Sequence, residues 1–216
     1  MTVRSMTALL ACLLAGSLIG PRALTGQALS APDGWRTSAE RFVAMAPGFH
    51  ITTSGSVLLY HPEARAWGEF TLASDGFLFS GESAETYGLF VGGRDLDSDA
   101  AVWTSLEVGH DGAWVVRRRA DGVVTDLVGP EVGAVAVPGD DPTAKNSLSI
   151  VATGSNVAFL VNGATVAELP REGLAVEGVT GFRVGADLNL HLTTFDITIG
   201  DSTRHLAPAR AEEVGS

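Results

Sequence analysis

The chain has 216 residues, of which 45% are hydrophobic and 18% charged, so it can bury a core and is not of a disordered type. Its formal net charge of −11 disfavours nucleic acid and anionic membranes as partners, because their phosphate groups would be repelled. Cys12 is the only cysteine, which excludes an internal disulfide and leaves packing as the source of stability.

The first thirty residues differ from the rest of the chain. Arg4 precedes an apolar run over residues 6–19 that is too short to span a bilayer comfortably. Small residues before Ala31 complete the pattern of a secretory signal peptide over residues 1–30. We therefore expect an exported protein, either secreted or periplasmic. An uncleaved anchor is the alternative, and a lipid on Cys12 is disfavoured because the apolar run continues past it.

The remaining chain is predicted to be all-β. Residues 31–44 form a polar lead-in, with a short helical turn expected near residues 38–43. About a dozen short alternating segments separated by Gly-containing turns then follow over residues 45–200, without a convincing amphipathic helix. Residues 201–216 are expected to form a C-terminal tail. This pattern is typical of an all-β sandwich or barrel.

Pairs of Asp or Asn with Gly mark the expected tight turns. Asp75-Gly76 predicts a hairpin between strands over residues 67–73 and 77–80. If three further pairs form two-residue turns, they also fix which residues face each other. Asp111-Gly112 would place Val108 opposite Val115, Asp121-Gly122 would place Arg117 opposite Asp126, and Asn162-Gly163 would place Phe159 opposite Val166 and Val161 opposite Ala164. A slip of one residue would invert each pair of faces.

The register at Asp111-Gly112 predicts a face that mixes aromatic and charged side chains. It brings Trp103 and Glu107 together with Trp114 and Arg118 from the next strand. Sugars bind to such faces, because an aromatic ring covers their C–H groups while charged groups bond their hydroxyls. We therefore predict these four residues as a ligand-binding surface. The alternative is that the tryptophans fill the sandwich.

A characteristic order of motifs runs through residues 45–200. The stretch YGLFVGGRDLD precedes GHDGAWVVRRR, an N-x-L strand, an F-x-V-N-G hairpin, a G-x-x-V strand and a last strand that ends near Phe195. The later motifs fall at Asn146 and Leu148, at Phe159, Val161, Asn162 and Gly163, and at Gly181 and Val184. In this order the chain resembles the concanavalin A-like lectin/glucanase superfamily, and within it secreted bacterial domains related to 3-keto-disaccharide hydrolases and laminin-G-like modules.

The resemblance implies a two-sheet antiparallel jelly-roll sandwich, and members of the superfamily often bind or cleave glycans. The E-x-D-x-x-E strand of the laminarinase-type members is absent, so no catalytic residue is assigned. The favoured function is non-catalytic recognition of a carbohydrate or cell-envelope glycan by a monomer without a membrane span in the mature chain. One alternative is a glycoside hydrolase that uses Glu107 with Glu69 or Asp126, and another is a protein-interaction module.

Three carboxylates, Asp95, Asp97 and Asp99, form a D-x-D-x-D stretch. Ca²⁺ prefers several oxygen ligands in flexible geometry, so these residues are candidates for a calcium site completed by Asp187 or Asp75. An EF-hand loop is excluded, because it would need glycine and glutamate where the chain has Ala100 and Leu106. No cofactor is required by this interpretation, and solvated turn residues are the alternative.

Overall fold

The structure is a computed structural model that describes residues 31–209, and these residues form fifteen strands. The strands are β1 (Arg41–Ala44), β2 (Phe49–Thr52), β3 (Val57–Ala66), β4 (Phe70–Phe79), β5 (Thr86–Arg94), β6 (Val102–Gly109), β7 (Ala113–Ala120), β8 (Val123–Val132), β9 (Thr143–Thr153), β10 (Asn156–Val161), β11 (Ala164–Pro170), β12 (Gly178–Val184), β13 (Asn189–Leu192), β14 (Asp196–Ile199) and β15 (Ser202–His205). The predicted signal peptide, with Cys12, lies outside the described residues. Within residues 31–209, no helix is long and apolar enough to cross a membrane.

The strands form two antiparallel sheets. The six-stranded sheet has the order β3-β12-β5-β6-β7-β8, and the nine-stranded sheet has the order β1-β2-β13-β4-β9-β10-β11, with β14 paired to β4 and β15 paired to β14. One core cluster combines residues from both sheets, such as Leu89 and Leu106 from the first and Leu72 and Ile150 from the second. The sheets therefore stack face to face, as the predicted sandwich requires.

Residues at both ends of the described chain belong to this sandwich. Trp35 packs against Phe42 and Phe49 with ring centroids 5.2 and 4.9 Å apart. The helical turn expected near residues 38–43 is wrong: Phe42 is buried in the core, and β1 pairs with β2 along its whole length. At the other end, β15 lies beyond residue 200 and pairs with β14.

The Asp75-Gly76 pair is not a turn but the middle of β4. Apolar alternation continues straight through it, and β4 pairs with β9 from Phe70 to Phe79. Gly76 serves close packing here rather than a bend, because a Cβ atom would lie 2.6 Å from a methyl carbon of Leu192, whose side chain would have to shift. The predicted hairpin is therefore wrong, since glycine also serves where a neighbouring side chain crosses a strand.

The β6–β7 hairpin differs from its predicted register by one residue. Val108 lies opposite Trp114 rather than Val115. The turn contains an additional residue: Gly112, with φ of 79°, follows His110 and Asp111, and its N–H donates to the carbonyl of Gly109. Three-residue connections of this kind combine a turn with a final left-handed residue that forms a bulge. Every side chain of β7 consequently faces the side of the sheet opposite to the predicted one.

The other two predicted turns have the expected pairing at their ends. Arg117 lies opposite Asp126 across β7 and β8, and the Arg117 Nε donates to Asp126 Oδ1 at 2.8 Å. Val161 lies opposite Ala164, as predicted. A register shift after Phe159 then places that residue opposite Ala167 rather than Val166.

The burial of Trp114 gives a direct test of the observed register. Trp114 is 5% exposed in the core, so Trp114→Ala should lower the free energy of unfolding by about 3–5 kcal/mol. Trp67→Ala is the matched control, because Trp67 is 58% exposed and should change stability by less than about 0.5 kcal/mol. Guanidinium unfolding followed by circular dichroism measures both. Equally small losses would place Trp114 at the surface and contradict this register.

The histidine pair on the nine-stranded sheet makes stability depend on pH. The ring of His50 lies 6.2 Å from that of His191, and burial, followed by the charges of Arg41 and His191, lowers the pKa of His50. The unfolded chain takes up this proton at about pH 6.5, whereas the folded state takes it up only at lower pH. The stability contributed by neutral His50 is therefore present above about pH 6.5 and is lost as the pH falls through the folded pKa.

We expect the difference in unfolding free energy between wild type and His50→Gln to decrease as the pH falls from about 7.5 to about 5. Urea unfolding of both proteins across this range measures the difference. A difference that stays constant, or that grows on acidification, would contradict the lowered pKa.

Candidate functional site on the six-stranded sheet

The outer face of the six-stranded sheet carries a second apolar cluster, separate from the core between the sheets. It consists of Tyr60, Phe90, Trp103 and Val179, with Leu96 packed against it from the β5–β6 loop. Because these residues alternate with core residues along their strands, they identify the outward-facing positions of β3, β5, β6 and β12. This outer face also holds the most heavily bonded charged cluster among the described residues.

Glu107 is the centre of that cluster and is fully buried. Its Oε1 accepts a hydrogen bond from the Ser105 hydroxyl at 2.6 Å. Its Oε2 accepts from Nη1 of Arg117 and from Nη1 of Arg183, each at 2.7 Å, and from the Thr86 hydroxyl. A buried carboxylate is costly unless it is paired and hydrogen-bonded, and here four donors satisfy it.

Strand pairing explains why these side chains meet. Arg117 on β7 lies opposite Ser105, two residues before Glu107 on the same face of β6. Arg183 on β12 lies opposite Gly88 on β5, and Gly88 lies opposite Glu107. Arg183 therefore reaches Glu107 across a residue that has no side chain. Gly88 cannot be replaced without rearrangement, because a Cβ atom there would lie 1.8 Å from the carbonyl oxygen of Leu106.

Ion pairs with Glu107 hold both arginines in place. Burial alone would lower the pKa of Arg117, but Glu107 and Asp126 raise it above its usual value. The side chains of Arg117 and Arg183 are 21% and 15% exposed, so part of each guanidinium remains accessible from the outer face. Planar guanidinium groups held in one orientation can bond hydroxyl or carboxylate oxygens of a ligand through their remaining N–H groups.

A depression of about 200 Å³ adjoins the cluster and is bordered by Arg183 itself. Trp103, Arg119 and the loop residues Leu96 and Ser98 also line it. The same two loop residues also line two larger grooves of about 860 and 620 Å³ that continue from it.

The larger grooves carry a different kind of ion pair. Both are lined by Arg36, Tyr60 and Asp97, where Asp97 binds Arg36 at 2.8 Å. The side chains of that pair are 58% and 65% exposed, so water screens it, in contrast to the pairs of Glu107. The depression and the two grooves therefore form one continuous surface on the outer face. Its end at Arg183 is the part that a buried ion pair holds rigid.

The four residues predicted as one ligand surface lie on two faces. Trp103 and Glu107 are on the outer face, 3% and 0% exposed. Trp114 and Arg118 are on β7 positions that face the other side of the sheet, because of the register shift in the hairpin. Their predicted common face is wrong. Arg118 partners Thr104 and Thr125 across the strands.

Sequence reasoning missed the two arginines of the cluster as ligand-binding candidates. For Arg117 a signal existed, because its predicted pairing with Asp126 already placed it on a defined face of β7. For Arg183 there was none, because the pairing of β12 with β5 joins segments more than 80 residues apart in the chain.

Of the three D-x-D-x-D residues, Asp97 bonds through its carboxylate, whereas Asp95 and Asp99 bond through their backbone. Asp97 accepts hydrogen bonds from the Tyr60 hydroxyl and from Arg36, which lower its pKa, the Tyr60 bond most. Asp95 accepts from the Ser98 hydroxyl through its backbone carbonyl, and Asp99 from Arg119 likewise. Within the described part of the chain, no group of three or more potential ligand side chains is placed to hold a metal ion. A calcium site at Asp95, Asp97 and Asp99 therefore stays a prediction.

The carboxylates considered for hydrolysis are also engaged. Glu69 accepts a hydrogen bond from the Gly154 N–H at 2.8 Å, in the turn between β9 and β10. That turn belongs to the nine-stranded sheet, whereas Glu107 faces outward from the other sheet. Asp126 bonds Arg117.

Comparison with known proteins identifies solved structures with a similar fold. No protein-family model matches the chain, and no curated protein matches it. Among solved structures, the carbohydrate-binding module CBM66 from Bacillus subtilis is similar at a TM-score of 0.60 and 16% identity, over 77% of this chain and 96% of that one.

Two further solved structures share the architecture. The exoplasmic/lumenal domain of VIP36, in a Ca²⁺/Man3GlcNAc-bound form, has a TM-score of 0.57 at 8% identity, over 85% of this chain and 88% of that one. A Bacillus subtilis protein of unknown function with a galectin-like fold has a TM-score of 0.55 at 14% identity, over 82% and 90%. These similarities confirm the predicted jelly-roll sandwich, and at such low identity they establish the fold alone.

Removal of the central carboxylate tests the cluster. Glu107→Ala removes the carboxylate that pairs with Arg183 and one of the two that pair with Arg117. We therefore expect the free energy of unfolding to fall by about 3–5 kcal/mol. Asp126→Ala is the control, because its side chain is 40% exposed and its pair should contribute no more than about 1 kcal/mol. Chemical denaturation measures both variants, and equal losses would show that Glu107 is not a buried ion-pair centre.

Proposed function

We propose that this protein is an exported carbohydrate-binding domain that holds a glycan against the outer face of its six-stranded sheet. The observation that carries the proposal is the buried Glu107 carboxylate, which fixes Arg117 and Arg183 beside each other on that face. The pattern over residues 1–30 supports export, which would bring the domain to cell-envelope or extracellular glycans.

The cluster suits a polyhydroxylated ligand for two physical reasons. Two neighbouring hydroxyl oxygens of a sugar match the parallel N–H groups of one guanidinium, so each arginine can recognise a pair of hydroxyls. Both side chains are already immobilised by Glu107, so binding costs less side-chain entropy than it would for free arginines. The apolar lining near Arg183, which includes Leu58 and Val124, suits the C–H face of a sugar ring.

The arrangement favours binding over hydrolysis. Glycoside hydrolysis uses two carboxyl groups about 5–10 Å apart on either side of the scissile bond, and both must reach the substrate. Glu107 is fully buried beneath four hydrogen-bond donors, and Asp126 pairs with Arg117. Two structural neighbours are in line with this proposal, since one is a carbohydrate-binding module and the other was solved with Man3GlcNAc. The donors proposed here are N–H groups, so recognition at the cluster needs no metal ion.

A glycan array probed with the purified protein tests the proposed function. We expect reproducible binding to a chemically related set of glycans, unchanged when Ca²⁺ is replaced by a chelator, because the arginine cluster supplies the contacts. Loss of binding in chelator would instead move the site to Asp95, Asp97 and Asp99. A blank array in both buffers would contradict carbohydrate binding and favour a protein-interaction module.

Substitution of one arginine links that binding to the cluster. Arg183→Ala should weaken binding of the best array ligand at least about tenfold, because a charge-assisted hydrogen bond contributes about 1.5–3 kcal/mol. Arg204→Ala is the matched control, since Arg204 is half exposed on β15 of the other sheet and should leave affinity unchanged. Isothermal titration calorimetry gives both affinities, with thermal unfolding as the check on folding. Equal affinity of wild type and Arg183→Ala would reject this site.

A further inference from the structure

The depression beside the cluster is unusual in its charge. Its border includes Arg119 and Arg183 on opposite sides of Trp103, together with Leu58, Val124 and Ser98, and no Asp or Glu side chain lines it. The protein as a whole carries a net charge of −11, so a pocket with two guanidinium groups and no carboxylate departs from its surroundings. Such a pocket is complementary to an anion.

Both arginines have hydrogen-bonding capacity to spare. Arg183 makes its side-chain hydrogen bonds through Nη1 alone within residues 31–209, to Glu107 and weakly to Thr86. Arg119 donates from Nη2 to the backbone carbonyl of Asp99 at a long 3.3 Å. Its Nε is buried and has no partner among the described residues. A buried donor without an acceptor is costly, so the Arg119 side chain is not held by a full set of partners.

The charges around the pocket do not cancel. Glu107 is shared by Arg117 and Arg183, and Asp126 binds Arg117 a second time, so these four side chains are balanced. Arg119 has no carboxylate partner among the described ion pairs. The nearest acidic loop forms no ion pair with it, because Asp97 pairs with Arg36 and Asp99 binds Arg119 only through its backbone oxygen.

We propose that the pocket selects acidic sugars and that Arg119 and Arg183 bind the sugar carboxylate. The inference rests on the proposed carbohydrate binding and narrows it to glycans that carry uronic or sialic acid units. A carboxylate accepts hydrogen bonds from guanidinium groups in a charge-assisted geometry that a neutral hydroxyl cannot match. The ring that bears it packs against Leu58 and Val124, and the rest of the chain extends past Ser98 into the larger grooves.

The small size of the pocket supports a single anchored unit. At about 200 Å³ it lies below the range of about 300–1,000 Å³ that is usual for sites enclosing a whole small ligand. Its continuity with the larger grooves through Leu96 and Ser98 leaves the neighbouring sugars at the surface. The acidic unit is therefore recognised within, or at the end of, a longer chain.

The test is a binding panel in which each carboxylated oligosaccharide is paired with its own methyl ester. The panel contains oligogalacturonides, oligoglucuronides and sialylated oligosaccharides, together with neutral oligosaccharides, and the full-length protein is titrated with each. We expect the acid form of at least one pair to bind at least tenfold more tightly than its ester, at low salt. The preference should shrink as NaCl is raised, because screening weakens ion pairing at an accessible site.

Two variants tie the preference to the pocket. Arg119→Gln and Arg183→Gln should each reduce the acid-to-ester preference at least fivefold, whereas Arg204→Gln on the other sheet should retain it. Arg119→Gln is the more discriminating variant, because Arg119 lies outside the Glu107 cluster and its replacement leaves that buried ion pair intact. Thermal unfolding of each variant shows that the loss is not a loss of folding.

The outcomes separate this inference from the proposed function. Binding to neutral glycans or to esters as tightly as to acids would overturn the acidic-sugar inference while carbohydrate binding itself would stand. The absence of binding to every glycan in the panel would overturn both. Inorganic sulfate or acetate that binds as tightly as the acidic oligosaccharides, with the same dependence on Arg119, would reduce the pocket to a simple anion site and overturn the inference. Acid preference lost in Arg119→Gln supports it.

Discussion

The outer face of this sandwich depends on one buried carboxylate. Glu107 has no contact with solvent, so its charge is tolerable only while Arg117, Arg183, Ser105 and Thr86 all bond it. Those partners come from β5, β6, β7 and β12, the four central strands of the six-stranded sheet. A slip of any of these strands would leave the carboxylate unpaired, so the ion-pair centre and the strand register depend on each other.

The same alternation that forms the core also builds the proposed ligand surface. Successive side chains of β6 face opposite sides, so Leu106 and Val108 enter the core while Ser105 and Glu107 face outward. Gly88 provides the remaining element, because only a residue without a side chain lets β5 and β6 approach and lets Arg183 cross to Glu107. Packing thus holds these side chains in a fixed row on the middle strands of the sheet. Their geometry does not require a mobile segment.

The fold and part of the candidate site could be predicted from the sequence. Regular alternation and frequent turn residues predict the all-β sandwich because both are local signals. The β7–β8 register and the Arg117–Asp126 pair are likewise local, since a two-residue turn fixes them. The predicted β6–β7 register was wrong because Asp-Gly occurs both in two-residue turns and at the end of longer ones. The turn here is the longer kind and includes His110, whose ring bonds the backbone of Phe79 and Ser83.

Other features depend on contacts between distant parts of the chain and have no local signature. The role of Arg183 follows from β12 pairing with β5, and the presence of Gly76 inside β4 follows from the passage of Leu192 over it. Trp103 and Trp114 look alike in the sequence, yet one lies on the outer face and the other in the core.

The most direct measurement is an NMR titration that follows the arginine side-chain Nε–Hε signals while a glycan that binds the protein is added. The account predicts that Arg117 and Arg183 shift together while Arg204 does not. Shifts confined to the arginines of the nine-stranded sheet, Arg41 and Arg204, would contradict it.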